Sequence, residues 1–282
     1  MSIFETIYGG FSNFPYLFRT DYPPKIKIKL LLTWFKINLK YLTLNKLFSL
    51  KNENLFGFKV SAFDYETILF LFQEIFYRNE YFFKSNQNEP VIFDCGANIG
   101  FATLFFKWMY PLSEIYAFEP DIDTFKVLKK NVEQNKLENV HLFNSALSDK
   151  NGKIDFFIDS ERPGSLVMST MYDRLPKNKI TIDAMSLSSF IKEKNFDSIE
   201  FVKMDIEGSE KEVISELNKN NQIGLISKLC IEYHHKIDNH KSDLSEFLRI
   251  FEKNGFEYQI DTKNIPISAE NRFQDVLLYL YR

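Results

Sequence analysis

The sequence predicts an α/β protein, with a mostly parallel central sheet, helices on both of its faces and a mainly helical N-terminal extension. Three observations carry this expectation. After Pro90, short apolar runs alternate with stretches of helical spacing, the pattern of strand–helix units. The first run, Val91-Ile-Phe-Asp-Cys95, enters a turn holding two glycines four residues apart. Before Pro90 that alternation is missing, and the chain enters helical sequence through Pro23 and Pro24, residues suited to a first helical turn.

Taken in order, residues 1–85 form the extension and residues 86–282 the main domain. Residues 24–50 read as one or two helices, 55–63 alternate like a strand or hairpin arm, and 64–78 have helical spacing behind a cap at Asp64. The expected strands are 91–95, 113–118, 139–143, 200–205 and 227–233, with helices at 99–108, 122–135, 208–217 and 242–254. Residues 153–183 read as a β-hairpin insertion and 274–281 as a last strand. In a sheet of this class, ligands sit at the carboxyl ends of the strands.

Composition narrows the classes. With 45% hydrophobic and 26% charged residues over 282 positions, the chain is an ordinary globular protein and not a disordered one. Cys95 and Cys230 both lie in apolar runs and read as buried free thiols, which fits a reducing, cytoplasmic setting. Residues 1–20 lack the pattern of a secretory leader. The most apolar early segment, 26–50, is interrupted by Lys27, Lys29, Lys36, Lys40 and Lys46, too many charges for a spanning helix.

Charge is uneven. Residues 1–60 hold nine Lys or Arg against Glu5, Asp21 and Glu53, an excess of six, which leaves nine excess acids in the rest of a chain of net charge −3. The basic region reads first as a helical cap with a solvated lysine face. Contact with an anionic membrane or a partner is the second reading. An acidic main domain repels a phosphate backbone, so nucleic acid is not an expected partner.

The glycine turn reads Asp94-x-Gly96-x-Asn98-x-Gly100, not the Gly-x-Gly-x-x-Gly of a dinucleotide site, which disfavours an NAD-dependent oxidoreductase. Glycine there permits left-handed angles and close backbone approach, and Asn98 is the side chain that best tolerates such angles. A carboxylate before the turn disfavours a pyrophosphate and favours a cationic or hydroxyl-bearing ligand. In "IYAFEPD", Glu119 stands nineteen residues beyond Gly100, where an acid commonly accepts both ribose hydroxyls. A pocket for adenosine with a sulfonium-bearing tail fits S-adenosylmethionine.

A second constellation lies in "FVKMDIEGSE" (201–210), whose strand ends in Asp205, Glu207 and Gly208, and in "LCIEYHH" (229–235), which ends in Glu232, His234 and His235. Asp205 either faces the crevice or caps the next helix, with Glu207 in its first turn. His234 titrates near neutrality and suits removal of a hydroxyl proton, a role Asp205 could also fill. Asp205, Glu207 and His234 could instead hold a divalent ion, although no ligand spacing demands one.

Residues 91–213 resemble the FkbM-type methyltransferases, in the stretches "VIFDCGANIGF", "YAFEPD", "NVHLFNSALSD" and "FVKMDIEGSE", with "LFQEIFYRNEY" upstream. The resemblance implies a Rossmann-like class I methyltransferase fold and S-adenosylmethionine as cofactor. It implies that Asp94, Gly96, Asn98 and Gly100 hold the methionine end, Glu119 the ribose, and the Asn144-Ser145-Ala146 turn the adenine edge. It further implies methyl transfer to a hydroxyl of a small-molecule acceptor, a sugar or nucleotide sugar of surface polysaccharide or secondary metabolism; the strand-end residues Asp205, Glu207 and His234 then read as the catalytic set. Arg162, Arg174, Lys177 and Lys179 in the insertion could meet a diphosphate. The alternatives are a non-catalytic S-adenosylmethionine-binding regulator and a methyltransferase acting on nitrogen. Acceptor and oligomeric state stay open.

Overall fold

The computed structural model describes residues 17, 20, 22–157, 179–237, 242–262 and 273–282. Helix α1 (Pro24–Leu42) starts with proline in its first turn and is followed by the short α2 (Leu44–Phe48). A hairpin of β1 (Asn52–Leu55) and β2 (Phe58–Ser61) comes next, so the alternation expected at 55–63 is its second arm. Helix α3 (Tyr65–Leu71) is capped as expected, Asp64 accepting the Thr67 amide at 2.7 Å. It widens into a π-helical segment over Phe72–Tyr77.

The main domain then alternates as expected. Strand β3 (Val91–Cys95), α4 (Phe101–Met109), β4 (Glu114–Phe118), α5 (Ile122–Gln134) and β5 (Val140–Phe143) are followed by a small sheet of β6 (Ala146–Ser148), β7 (Gly152–Phe157) and β8 (Lys179–Ser186). Helix α6 (Leu187–Lys194), β9 (Ile199–Met204), α7 (Glu210–Lys219), β10 (Ile226–Ile237), α8 (Leu244–Lys253), β11 (Glu257–Asp261) and β12 (Phe273–Tyr281) complete the chain.

Seven strands form one sheet in the order β11-β12-β10-β9-β3-β4-β5. Strands β10, β9, β3, β4 and β5 are mutually parallel, and β12 runs antiparallel between β10 and β11. This is the doubly wound order in which the chain reverses beside its first strand, and the class I methyltransferase fold expected is the fold observed. The faces are covered on both sides: Ile92 joins Trp34, Phe76 and Phe105 in one core, while its neighbour Phe93 joins Phe190, Val213 and Phe247 in the other. Alternate side chains of a strand point to opposite faces. Helices α1 and α3 of the extension share the first core with the sheet.

Two differences matter for the site. Strand β10 runs to Ile237, with a register shift against β12 between Tyr233 and Lys236. His234 and His235 therefore lie inside the strand and not beyond its end. Asp205 does not cap α7, whose N-cap is Ser209. Both arms of the expected 153–183 hairpin are present as β7 and β8. Arg162, Arg174 and Lys177 lie outside the described residues, and Lys179 pairs with Asp155 at 2.8 Å.

Candidate active site

The register of three adjacent strands brings the site together. Cys95, at the end of β3, pairs with Phe118 on β4 and with Met204 on β9. The next residues of each strand, Gly96, Glu119 and Asp205, consequently meet at one level. A cavity of about 300 Å³ opens there, a size at the lower end for small-molecule sites.

The turn after β3 has Gly96 at φ 78°, Asn98 at φ 50° and Gly100 at φ 89°. The Gly96 and Ala97 amides donate to the Phe118 carbonyl at 3.0 and 2.8 Å. A Cβ on Gly96 would overlap the Asp205 carbonyl oxygen and lie 2.9 Å from its carbonyl carbon. That glycine is required by the backbone of the β9 loop as well as by any ligand. Gly96 and Asn98 line the cavity, whereas Gly100 packs the start of α4 against Leu128.

Asp94 lies behind the turn, fully buried, and does not reach the cavity wall. It accepts from Thr103 Oγ1 at 2.6 Å and stands 3.8 Å from Lys203 Nζ. Burial pushes its carboxyl up, and Lys203 and Thr103 only partly counter this. Glu119 is on the wall and buried, accepting the amides of Asn98 and Asp121 at 2.9 Å each. Burial pushes its carboxyl up to about 8 against the pull of those hydrogen bonds. Of the third turn, Ser145 and Ala146 line the cavity, while Asn144 ties the strand ends together by donating to the carbonyls of Glu119 and Pro120.

The loop after β9 is built around two charged residues that sequence reasoning did not single out. Lys203 sits in a strand whose every residue is buried. Its Nζ donates to the Gly96 carbonyl at 2.6 Å and lies 3.8 and 3.9 Å from Asp94 and Asp205. Burial works against its charge, but Asp205 and Asp94 more than offset that and raise its pKa. A lysine inside an apolar strand was the available signal, since a buried charge requires partners. Glu210, also buried, accepts the backbone amides of Ile206 and Gly208 at 3.2 and 3.1 Å and faces His234 Nδ1 at 3.1 Å. Burial opposes its charge, yet His234 and these donors hold its carboxyl below the ordinary range.

Glu210 thereby shapes the bend in which Glu207 has φ 59° and Gly208 φ 114°. His234 bridges the loop, with Nδ1 on Glu210 and Nε2 3.2 Å from Glu207. Both ring nitrogens face carboxylates, Nδ1 in hydrogen-bond contact with Glu210 and Nε2 in a charge contact with Glu207, and the ring is not on the cavity wall. The sequence expectation that His234 removes a proton from an acceptor does not match this placement. Asp205 and Glu207 are on the wall, and Asp205 Oδ1 is buried without a hydrogen-bond partner among the described residues. Asp205, Glu207 and His234 each present a ligand atom within 4.8 Å of the others, a spacing within reach of a cation.

The rest of the acidic lining comes from distant parts of the chain: Glu74, Glu80 and Tyr81 of the extension, Glu232 of β10 and Asp275 of β12. Burial, Asp205 and a hydrogen bond with Asp275 push the Glu232 carboxyl well above the ordinary range. Among the described residues seven carboxyl side chains line the cavity, and Lys203 is the one cation on its wall.

A family model for the methyltransferase FkbM domain matches residues 94–258. Methyltransferase 1 of Beauveria bassiana is 26% identical over 212 residues, covering 68% of this chain and 82% of the relative. The 2-O-methyltransferase NoeI of Sinorhizobium fredii is 29% identical over 147 residues, 45% of this chain and 57% of that one. A crystal structure of methyltransferase FkbM from Methylobacillus flagellatus superposes with a TM-score of 0.47 at 20% identity, covering 74% of this chain and 47% of the other. The chain thus spans about half the length of that solved protein. With the matched region running from the first acid of the glycine turn to β11, and taking in more than half of its length, the chain belongs to the FkbM-domain methyltransferase family.

Proposed function

We propose that the chain transfers the methyl group of S-adenosylmethionine to a hydroxyl oxygen of an uncharged, sugar-type acceptor. The observation that carries this reading is the meeting of the Gly96 turn, Glu119 and Asp205 at one cavity wall. The residues suit the cofactor: a close-approach glycine, an acid at the end of β4 for a ribose diol, and a surplus of carboxyl groups for a ligand bearing ammonium and sulfonium charge. Asp205 Oδ1, buried and without a hydrogen-bond partner among the described residues, is a further acceptor in search of a donor, a costly arrangement unless a ligand supplies one.

Bound there, S-adenosylmethionine supplies an electrophilic methyl group. Glu119 holds the ribose hydroxyls, and the Ser145–Ala146 edge borders the base. Lys203 fixes the Gly96 carbonyl and the two aspartates, so the wall stays in register. Asp205 takes the acceptor's proton as its oxygen is methylated, a contribution of about a hundredfold to ten-thousandfold in rate. Holding the acceptor about 3 Å from the methyl group supplies much of the remainder. Glu207, locked by His234, keeps the loop in the bend that presents Asp205.

The acidic wall favours a neutral acceptor over a nucleotide sugar, because a diphosphate would approach Glu80 and Asp275 with like charge. The name of the relative NoeI, a 2-O-methyltransferase, supports an oxygen acceptor. Incubation with methyl-labelled S-adenosylmethionine and a panel of neutral glycosides tests the reading. Label on a glycoside oxygen, lost in Asp205→Asn, is expected. Label on amines alone would move the chemistry to nitrogen, and tight cofactor binding without transfer to any acceptor would make the chain a regulator.

A further inference from the structure

Helix α1 is apolar on two opposite faces. Its inner face buries Leu30, Trp34 and Ile37. Its outer face repeats the same spacing with Ile28, Leu32, Phe35 and Leu39, which are 58%, 63%, 47% and 65% exposed. Residues four, seven and eleven apart fall in one stripe of an α-helix, so these four form a continuous band. Helix α2 adds Leu44, Leu47 and Phe48, exposed by 43%, 76% and 69%. Seven of the twelve exposed large apolar side chains among the described residues therefore lie between positions 28 and 48. A band of this kind marks an interaction surface.

The charges beside it point to the occupant. Residues 22–51 contain seven lysines and no acid. At 100° per residue, Lys25, Lys29, Lys36 and Lys40 follow one edge of the stripe, and Lys27 flanks the other. Lys36 and Lys40 share the single buried carboxylate of Glu53, at 3.1 and 2.9 Å. That leaves the lysine edge with more positive charge than its partners cancel. We propose that the outer face of α1 and α2 docks on an anionic lipid surface, with the apolar stripe in the headgroup boundary and the lysines at phosphate level.

A second copy of the chain is the less suitable occupant. A symmetric pair built on this stripe would set each lysine edge beside its own counterpart, and like charges there oppose closure. A lipid surface offers the opposite charge and accepts long lysine side chains, whose alkyl stems cover apolar surface while the ammonium groups stay wet. The sequence expectation of a solvated lysine face holds for one edge of α1 only, since the exposed centre is apolar. Helix α1 also packs on α3, whose Phe70 and Leu71 line the cavity, so docking would bring the lipid surface close to the acceptor's entrance.

Flotation of the full chain with vesicles tests the surface independently of methyl transfer. Binding is expected to an equal mixture of phosphatidylcholine and phosphatidylserine and not to phosphatidylcholine alone, and to weaken as salt is raised. Leu32→Glu with Phe35→Glu should abolish it, and Lys25→Glu with Lys46→Glu should weaken it at least tenfold, with unchanged melting temperatures because all four side chains are exposed. Should the apolar pair compromise folding, the lysine pair alone decides. Absence of binding to the mixed vesicles would overturn the proposal, as would binding that survives both double substitutions. A concentration-dependent dimer lost in Leu32→Glu would assign the stripe to a second copy and overturn it as well.

Discussion

The carbonyl oxygen of Asp205 occupies the space that a Cβ on residue 96 would need. The turn after β3 and the loop after β9 are therefore one packed unit, held from below by Lys203. Gly96→Ala must displace that loop and also adopt a left-handed angle. A loss of about 2–5 kcal/mol in stability is expected from overpacking plus backbone strain. Denaturant unfolding measures it, and cofactor affinity should fall in parallel. An alanine variant of unchanged stability would mean that the two loops can separate.

Glu119 makes stability depend on pH with a defined sign. Its folded-state carboxyl is raised to about 8, chiefly by burial, while an unfolded glutamate titrates near 4.3. The folded state then holds the proton more tightly, so the contribution is present below about pH 4.3 and is lost as pH rises through about 8. Glu119→Gln removes this dependence. Its melting temperature should gain on that of the parent protein steadily between pH 5 and pH 8. A constant difference across that interval would show that Glu119 is ionised in the fold.

His234 is expected to act by position. Its loss leaves the buried Glu210 carboxylate without the imidazole that helps to hold its charge, a change worth about 3–5 kcal/mol in stability. His234→Ala should lower the melting temperature together with turnover, and Asp205→Asn should lower turnover with a smaller effect on stability. A general base would give the reverse pattern: full stability, lost turnover and an acid limb that vanishes with the imidazole. Because both ring nitrogens already face carboxylates, chelator treatment should leave turnover unchanged. Inactivation by chelator, reversed by a divalent ion, would convert Asp205, Glu207 and His234 into a metal site.

The acidic wall predicts acceptor charge. Neutral glycosides should be methylated with a higher kcat/KM than their nucleotide-diphosphate forms, and Glu80→Gln should narrow the gap by removing a repelling charge. A preference for the diphosphate would mean that the cations at 162, 174 and 177 dominate recognition.

Much of this was legible in the sequence because the signals were local. Strand ends followed by glycine or acid gave β3, β4 and β9 to within a residue or two, and the order of those strands put Gly96, Glu119 and Asp205 together. Helix α6 was missed: it is short and starts at three serines, with Ser186 as its cap. Strand β11 was missed as well, because as an edge strand it alternates weakly and is largely exposed. The rest of the acidic lining was not legible at all. Glu80, Glu232 and Asp275 converge only after the extension and β12 have packed, and nothing local distinguishes such acids from solvated ones. The bridging role of His234 was hidden for the same reason: the partner that withdraws it from the cavity, Glu210, reads in sequence as a first-turn helix acid.

The central claim, that S-adenosylmethionine lies across Gly96 and Glu119, is tested most directly by calorimetric titration of the parent chain and of Glu119→Ala with S-adenosylhomocysteine. One equivalent should bind the parent. The variant, folded by circular dichroism, should bind more weakly by about 1–3 kcal/mol, the usual cost of leaving buried donors without their acceptor. Equal affinity in a folded Glu119→Ala protein would contradict the account.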